Sequence, residues 1–366
     1  MTNQNFTVAL LPGDGIGPEV VTAARTVLEA AAEATGVSLE FRSYDAGAAH
    51  YAKTGASISD EVMDNIGKAD AVLLGAMGLP NIRKSDGTEL TPQIEIREQY
   101  QLFASLRPCK LMQGVVSRLK VDAIDMLVIR ETTEGLFAGR HHPVITADSV
   151  SDTLTISRQG CERLFVEAFT QARLRKKRYG TPGHVTLLDK SNVLASNAFM
   201  RSIFDEVAQR YPDIDTDRQY IDAGSMMFVT NPERFDVVVT ENVFGDIVSE
   251  IGAGVIGGLG LAPSADVGAE HAVFQPSHGS APDIAGKGVA NPIATMLSAV
   301  MLLEWLADRK SSDNCLRAAH TLRGAIEKVL NEGPRTRDLG GSASTVDVTE
   351  AVVQAIQTVG RHVETA

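Results

Sequence analysis

The segment FTVALLPGDGIGPEVVTAARTVLEAA, residues 6–31, joins a short apolar run, a glycine loop and a stretch whose apolar residues recur at helical spacing. The run at 6–11 predicts a buried strand, and the stretch from Val20 onward predicts a helix packed against it. Further buried-strand candidates, separated by helical patterns, are AVLL (71–74), MLVI (126–129), VTLL (185–188) and DVVV (236–239). This alternation of strands and helices predicts an α/β fold.

Helix ends are signalled clearly in two places. Residues 161–178 have a helical pattern that Gly180 ends. Residues 292–308 predict a second helix, with Pro292 in its first position and Asn291 as its cap.

Length and charge limit the class of protein. A chain of 366 residues exceeds one ordinary core, and no Pro/Ser-rich linker divides it, which favours a split domain over separate domains. The net charge of −12 repels nucleic acid and anionic membrane surfaces, so we expect small-molecule ligands. The glycine-rich segment 251–268 fits a helix-to-strand passage better than a membrane hairpin, because polar turns interrupt it.

The N-terminus and the cysteines predict a cytoplasmic protein. MTNQNFTVALL lacks the basic start and long apolar run of a signal peptide. Cys109, Cys161 and Cys315 lie far apart without metal-ligand spacing, so we expect reduced, mostly buried thiols.

Two segments rich in small residues are candidates for cofactor contact. The loop Gly13–Gly17 lies between a strand and a helix but is not a GxGxxG motif, so a plain tight turn explains it equally well. In HGSAPDIAGKGVANP (278–292), small residues permit close approach to a flat ligand, and Asp283 could accept both hydroxyls of an adenosine ribose. A surface loop is the alternative.

Three carboxylates are candidate metal ligands. Asp246 and Glu250 in FGDIVSE are four residues apart, so on a helix they share a face and could hold Mg²⁺ or Mn²⁺. A solvated helix face is the alternative. Asp222, in YIDAGSMM, has apolar neighbours and is expected to be partly buried, where a cation would offset its charge.

Four basic residues are candidates for binding and proton transfer. Lys190 follows the run VTLL, where partial desolvation would suit it to proton transfer, unless it forms an ion pair with Asp189. Arg97, Arg107 and Arg130 each have apolar neighbours and need a carboxylate from the protein or from a ligand. The linear sequence does not show whether they converge.

Taken together, these motifs resemble the isocitrate/isopropylmalate dehydrogenase family, from LLPGDGIGPEV (10–20) to TRDLGGSASTVDVTEAV (336–352). The intervening motifs are LRP (106–108), IRETTEG (129–135), DKSNVL (189–194), IDAGSM (221–226) and NVFGDIVSE (242–250). The resemblance implies two domains around a central cleft, without a standard Rossmann domain. It assigns residues 1–102 and 256–366 to a large discontinuous domain, and 103–255 to a small central domain that forms a dimer interface.

The resemblance also implies the roles of the site residues. Arg97, Arg107 and Arg130 would clamp substrate carboxylates, and Asp222, Asp246 and Glu250 would hold Mg²⁺ or Mn²⁺, with Glu250 where the family more often has aspartate. Lys190 and Asp222 would act catalytically in the partner subunit's site, which makes the protein a homodimer with shared active sites. The implied NAD contacts are Ile16, Gly75, Ala76, His278, Gly279, Ser280, Ala281, Asp283, Ile284 and Asn291. Asp283 followed by Ile284 favours NAD over NADP.

Two departures from the family bear on the reaction. Phe137 stands where the family has a proton-donating tyrosine, so completion of decarboxylation is in question. In the selectivity segment, Thr91 and Gln93 match a hydroxyl and an amide that meet a polar substituent, and Ile94 is apolar; Val193 is a further implied substrate contact. We therefore predict metal- and NAD-dependent oxidation, with decarboxylation, of a 3-substituted malate with a polar substituent. The alternatives are a 3-isopropylmalate dehydrogenase of leucine biosynthesis and a non-catalytic regulatory paralogue.

Overall fold

The computed structural model describes residues 5–117, 119–121 and 123–363, with side chains as far as Thr358. Its strands are β1 (Asn5–Gly13), β2 (Ser38–Ser43), β3 (Ala71–Ala76), β4 (Ala104–Lys110), β5 (Asp125–Glu131), β6 (Val144–Ile145), β7 (Val150–Ser151), β8 (His184–Asp189), β9 (Asp215–Tyr220), β10 (Val237–Thr240), β11 (Pro263–Val267) and β12 (Ala272–Pro276). Its helices are α1 (Gly17–Thr35), α2 (Ala48–Thr54), α3 (Asp60–Ile66), α4 (Pro92–Gln99), α5 (Arg158–Tyr179), α6 (Ala195–Ala208), α7 (Ile221–Thr230), α8 (Asn242–Val255), α9 (Ile293–Lys310), α10 (Asp313–Glu332) and α11 (Thr345–Val363).

Ten strands form one mixed sheet in the order β2-β1-β3-β12-β11-β4-β5-β10-β8-β9. Neighbours are parallel except in the middle, where β11 is antiparallel to β12 and β4, and β4 is antiparallel to β5. The α/β prediction is confirmed, and the five predicted strands correspond to β1, β3, β5, β8 and β10. In the sheet order, strands from residues 103–255 adjoin the others at the β11–β4 pair. The division into two domains stays a prediction.

Strands β4 and β11, in the antiparallel middle of the sheet, were not predicted. Strand β4 includes Arg107 and Pro108, and β11 reads PSADV, so neither presents a long apolar run. Both strands are nevertheless buried along most of their length. Polar residues in a buried strand interrupt the apolar run by which the strand would be predicted. In β4 and β11 these polar residues belong to the candidate site.

The predicted end of the first helix is confirmed, whereas the predicted start of the second needs correction. Helix α5 ends at Tyr179, and Gly180 follows with φ of 69°. Asn291 Oδ1 accepts a hydrogen bond from the Ile293 amide at 3.0 Å, but the N-cap of α9 is Pro292, so the predicted Asn291 cap is wrong. Helix α9 begins at Ile293, however, so Pro292 precedes the first helical residue instead of occupying it.

Segment 251–268 is the predicted helix-to-strand passage: α8 ends, a short 3₁₀ turn follows, and β11 begins. Within the described residues, no helix is both long and apolar enough to span a bilayer. The three cysteines are free and buried, as predicted.

Candidate active site

A cavity of about 280 Å³ lies beside the middle strands of the sheet. The predicted site residues that line it are Gly75, Ala76, Gln93, Ile94, Arg97, Arg107, Arg130, Phe137, Asp246, His278 and Gly279. These residues come from helices, strands and loops that are distant in sequence. The fold therefore brings most of the predicted substrate and cofactor residues to one place.

The three arginines converge in this cavity. Arg97 comes from α4, Arg107 from β4 and Arg130 from β5, and all three are buried. Burial and the positive charges of Arg107 and Arg97 together lower the pKa of Arg130 to about 9, although Asp246 and Asp266 oppose the shift. Burial and the charge of Arg97 also lower the pKa of Arg107. Crowded guanidinium groups of this kind are stabilised when an anion joins them.

Asp246 and Glu250 share one face of α8, as their spacing predicts. Asp246 Oδ1 bonds Arg130 Nη1 and lies 3.5 Å from Arg107 Nη2. Glu250 Oε1 lies 3.7 Å from Arg107 Nη1. Both carboxylates stay partly exposed, at 40% and 48% of the side chain, so a cation can reach them. Burial raises the pKa of Glu250, which the charge of Asp246 raises further while Arg107 opposes it.

Arg130 is oriented by Asn242, a residue that the sequence analysis did not single out. Asn242 Oδ1 accepts from Arg130 Nε at 3.0 Å and from Nη2 at 2.8 Å. The Asn242 amide in turn donates to the Glu134 carbonyl. The available signal was its position at the start of α8, three residues before the glycine of FGDIVSE. The Phe137 ring lies 5.4 Å from the Arg130 guanidinium carbon and contributes to the cavity wall.

Arg97 has a buried counter-ion that the sequence analysis also missed. Arg97 Nε donates to Asp266 Oδ2 at 2.8 Å, and Gln275 Nε2 donates to the same oxygen at 2.7 Å. Asp266 is 1% exposed and lies in the unpredicted strand β11.

The selectivity segment reaches the cavity in part. Gln93 and Ile94 line it, whereas Thr91 is not among the lining residues and stands at the N-cap of α4. Gln93 Oε1 is buried and has no hydrogen-bond partner among the described residues. An unpaired buried acceptor is costly, so this atom is suited to a ligand.

Lys190 and Asp222 form an ion pair away from the cavity lining, with Nζ 2.8 Å from Oδ2. The predicted partial burial of Asp222 is wrong for the single chain, because its side chain is 67% exposed. Asp222 is the second residue of α7, whose buried residues, Gly224 and Phe228, lie on another face of the helix. Val193 is likewise exposed and outside the lining.

The alternative ion pair between Lys190 and Asp189 is also wrong. Asp189 is fully buried at the end of β8 and binds Arg201 through both carboxylate oxygens. Alternation along the strand places residues 189 and 190 on different sides.

The single chain does not assemble the predicted three-carboxylate metal site. Asp222 is held by Lys190, and no cluster of three acidic, histidine or cysteine residues suited to a metal occurs among the described residues. Asp246 and Glu250 do fit part of a divalent-cation site, because they are partly exposed, adjacent and oxygen-bearing.

The two predicted cofactor segments meet beside the cavity. The Ile16 amide donates to the Ser280 carbonyl at 2.8 Å. A Cβ on Gly15 would lie 1.9 Å from that carbonyl oxygen, so only glycine allows this approach. Ile16 packs in a small cluster with Val20 and Ala290, against which Ala281 and Ile284 also pack.

Asp14 anchors this region and was not predicted. Its carboxylate accepts hydrogen bonds from the amides of Ala48, Ala49 and Gly78 at 2.7 to 2.8 Å. The side chain is 2% exposed. Asp14 therefore ties the glycine loop to the segment that follows β3.

The other predicted cofactor residues differ in whether their polar atoms are available to bind a ligand. Burial lowers the pKa of His278, and its Nε2 has no partner among the described residues. Asp283 is exposed. Asn291 is engaged within the protein at both ends of its amide, by Asp338 and by the Ile293 amide.

The sequence matches the model of the isocitrate/isopropylmalate dehydrogenase family over residues 7–353. The chain belongs to this family. It is 42% identical to the 3-isopropylmalate/3-methylmalate dehydrogenase of Methanocaldococcus jannaschii, over 96% of this chain and 98% of the relative. It is 40% identical to the isocitrate/homoisocitrate dehydrogenase of Thermus thermophilus, over 96% and 99% of the two chains. The crystal structure of isocitrate dehydrogenase from Methylococcus capsulatus superposes with a TM-score of 0.83 at 35% identity, over 96% of this chain and 99% of that one.

The family membership predicted from the motifs is confirmed. The protein is a β-decarboxylating dehydrogenase that acts on a CH–OH group, so the non-catalytic alternative loses its support. Other relatives, including those of Bacillus subtilis (40% identical over 95% of this chain and 96% of the relative) and Aquifex aeolicus (37% over 97% and 98%), are named 3-isopropylmalate dehydrogenases. These names favour the alternative prediction, 3-isopropylmalate, over a malate with a polar 3-substituent.

Proposed function

We propose that the protein oxidises and decarboxylates a 3-alkylmalate, with 3-isopropylmalate as the first candidate, using NAD and a divalent cation. The observation that carries this proposal is the convergence of three buried arginines with Asp246 in one cavity, with Glu250 close by at 3.7 Å from Arg107. This arrangement offers guanidinium groups to substrate carboxylates and carboxylate oxygens to a cation. The names of the relatives support the substrate.

Substrate binding falls to the arginines. Arg107 and Arg130 present buried, crowded positive charges that pair with the carboxylates of a malate-type acid. Asn242 fixes the Arg130 fork, so the bound carboxylate is oriented as well as attracted.

Asp246 and Glu250, completed by Asp222 of the partner subunit, would hold Mg²⁺ or Mn²⁺. Bound there, the cation would act as a Lewis acid on the substrate's oxygens. Lys190 of the partner subunit takes the proton of the substrate hydroxyl. This sharing accounts for a Lys190–Asp222 pair whose carboxylate is exposed on the single chain and which lies apart from that chain's own cavity.

The cofactor would lie along Ile16, Gly75, Ala76 and the segment 278–284, with exposed Asp283 available to the adenosine ribose. NAD supplies the acceptor for the hydride that leaves the hydroxyl-bearing carbon. The C3–carboxylate bond of the resulting 2-oxo acid then breaks, CO₂ leaves, and C3 takes a proton. Phe137 has no hydroxyl to supply that proton, so water or another group must donate it.

A cytoplasmic location and a preference for NAD over NADP belong to the same proposal.

A polar 3-substituent is the second candidate, favoured by Gln93. Its buried, unpartnered Oε1 would be left without a hydrogen bond beside an isopropyl group, at a cost of about 1–3 kcal/mol. Thr91, outside the cavity lining, gives this candidate no support.

The test is a substrate panel with purified protein, NAD and Mn²⁺, in which NADH and CO₂ are both measured. The panel contains 3-isopropylmalate, D-malate, tartrates, isocitrate and homoisocitrate. Highest kcat/KM with 3-isopropylmalate supports the proposal. Highest kcat/KM with a polar analogue moves the assignment to the second candidate, and higher efficiency with NADP contradicts the cofactor assignment.

A further inference from the structure

We propose that Asp266 is a specificity-determining residue, which neutralises Arg97 and so adapts the cavity to substrates with two carboxylates instead of three. This inference rests on the proposed function. It concerns how many charges the site accepts, which neither the motifs nor the names of the relatives settle.

The three arginines differ in the kind of carboxylate that balances them. Arg107 and Arg130 lie close to Asp246 and Glu250, whose side chains are 40% and 48% exposed. These two carboxylates are the proposed ligands of the cation. Arg97 faces Asp266, which is 1% exposed and bound at 2.8 Å. A bound cation would compete with Arg107 and Arg130 for Asp246 and Glu250, whereas Arg97 would keep Asp266 as its counter-ion.

Asp266 points toward the cavity side of β11. Ser264, two residues earlier on the same face of the strand, lines the cavity. Gln275, which donates to Asp266 at 2.7 Å, lines it too. The other carboxylate oxygen of Asp266, Oδ1, is buried without a donor among the described residues, so its negative charge is incompletely compensated.

Arg97 also adjoins the substituent region. Gln93 and Arg97 are four residues apart on α4 and both line the cavity. A third carboxylate on the substituent would therefore approach Arg97 and meet Asp266 behind it. Repulsion between the two carboxylates opposes a trianion, whereas an uncharged substituent is unaffected.

The experiment compares Asp266→Asn with wild type. Asparagine keeps an acceptor for Arg97 and removes the charge. We expect the ratio of kcat/KM for isocitrate over 3-isopropylmalate to rise by about tenfold or more, because one like charge leaves the site. Asp266→Ser serves as a second variant. Asp236→Asn is the matched control, since Asp236 is 2% exposed and bound to Arg175 Nε at 2.8 Å but lies outside the cavity lining; it should leave the ratio unchanged.

Equilibrium binding separates this inference from the proposed function. Succinate and propane-1,2,3-tricarboxylate carry two and three carboxylates and no hydroxyl, so calorimetry with Mg²⁺ tests charge preference without turnover. We expect wild type to bind the tricarboxylate no more tightly than succinate, and the Asp266 variants to shift toward it. An unchanged ratio in folded variants, or tighter tricarboxylate binding by wild type, overturns the role of Asp266. Absence of NADH from every hydroxy acid would instead refute the proposed function.

Discussion

Arg130 illustrates how the site prepares a single side chain. Asn242 holds two of its nitrogens, Asp246 takes a third, and the Phe137 ring lies against the guanidinium group. Burial, together with the charges of Arg107 and Arg97, lowers the pKa of Arg130. The chain tolerates this arrangement at a place where a ligand carboxylate can complete it.

The Phe137 position gives a prediction at the same scale. Phe137→Tyr adds a hydroxyl in the cavity wall and supplies the missing proton donor, so we expect kcat for formation of the decarboxylated product to rise several-fold. The measurement is steady-state NADH formation together with product analysis. Phe137→Leu keeps an apolar side chain without a hydroxyl and should give no gain. If the tyrosine variant has unchanged rates and products, the tyrosine role does not apply to this enzyme.

At the scale of elements, the sequence predicted those with regular patterns. The apolar strands β1, β3, β5, β8 and β10 and the Asp246–Glu250 face of α8 follow from spacing alone. Strands β4 and β11 could not be predicted in this way, because Arg107, Pro108 and Asp266 interrupt their apolar pattern. Convergence of the arginines depends on which strands are neighbours, and a local pattern does not contain that information. Exposure of Asp222 was mispredicted because apolar neighbours on a helix need not share its face.

The glycine loop before α1 gives a second prediction. Asp14→Asn removes the carboxylate that accepts hydrogen bonds from three backbone amides. Asparagine has only one side-chain oxygen and no charge, so it can accept only some of these hydrogen bonds. We expect the NAD dissociation constant to rise about tenfold while kcat at saturating NAD changes little, because the loop positions the cofactor region. Fluorescence titration with NADH and steady-state kinetics measure the two quantities. Loss of kcat with unchanged cofactor affinity would contradict a positioning role.

The packing of α5 gives a pH-dependent prediction. Burial raises the pKa of Glu167, so the folded protein disfavours its ionised form; Arg309 opposes this rise, and Asp308 adds to it. Gln171 Nε2 donates a hydrogen bond to Glu167 Oε1 at 2.8 Å. A glutamine at position 167 could accept the same hydrogen bond through its side-chain oxygen. Glu167→Gln should therefore raise the melting temperature at pH 8, because the folded protein disfavours the ionised carboxylate that the variant lacks.

That gain should be smaller at pH 5 than at pH 8, because the raised pKa lets the folded wild type take up a proton on Glu167 more readily than the unfolded chain as pH falls, which removes the cost of the buried charge. Differential scanning calorimetry at both pH values measures this. Glu33→Gln, at an exposed glutamate of α1, is the control and should change neither melting temperature. A lower melting temperature for Glu167→Gln at pH 8 would show that the ionised form is stabilising.

At the scale of the whole molecule, the proposed active site needs two chains. Lys190 and Asp222 pair on a part of the chain rich in exposed apolar side chains, including Val193, Met226 and Val229. Such side chains are expected at an interface. One chain's Asp246 would then act with the partner's Lys190.

Subunit complementation tests this sharing. Lys190→Ala and Asp246→Ala homodimers should each be inactive, but unfolding and refolding them as an equal mixture should restore about a quarter of wild-type activity. Half of the dimers formed at random are hybrids, and each hybrid contains one intact site of two. Refolded single variants are the controls. No recovery in a mixture shown to contain hybrids would mean that each chain completes its own site.

The central claim is that the arginine- and carboxylate-lined cavity carries out metal-dependent oxidative decarboxylation of a dicarboxylic hydroxy acid. The most direct measurement is the stoichiometry of NADH and CO₂ from carboxyl-labelled 3-isopropylmalate, with Mn²⁺ and after its removal by EDTA, in wild type and Asp246→Asn. We predict equal amounts of NADH and CO₂ in wild type, loss of both with EDTA, and a large loss of both in the variant. Equal NADH and CO₂ in the presence of EDTA, or undiminished turnover by Asp246→Asn, would contradict the account.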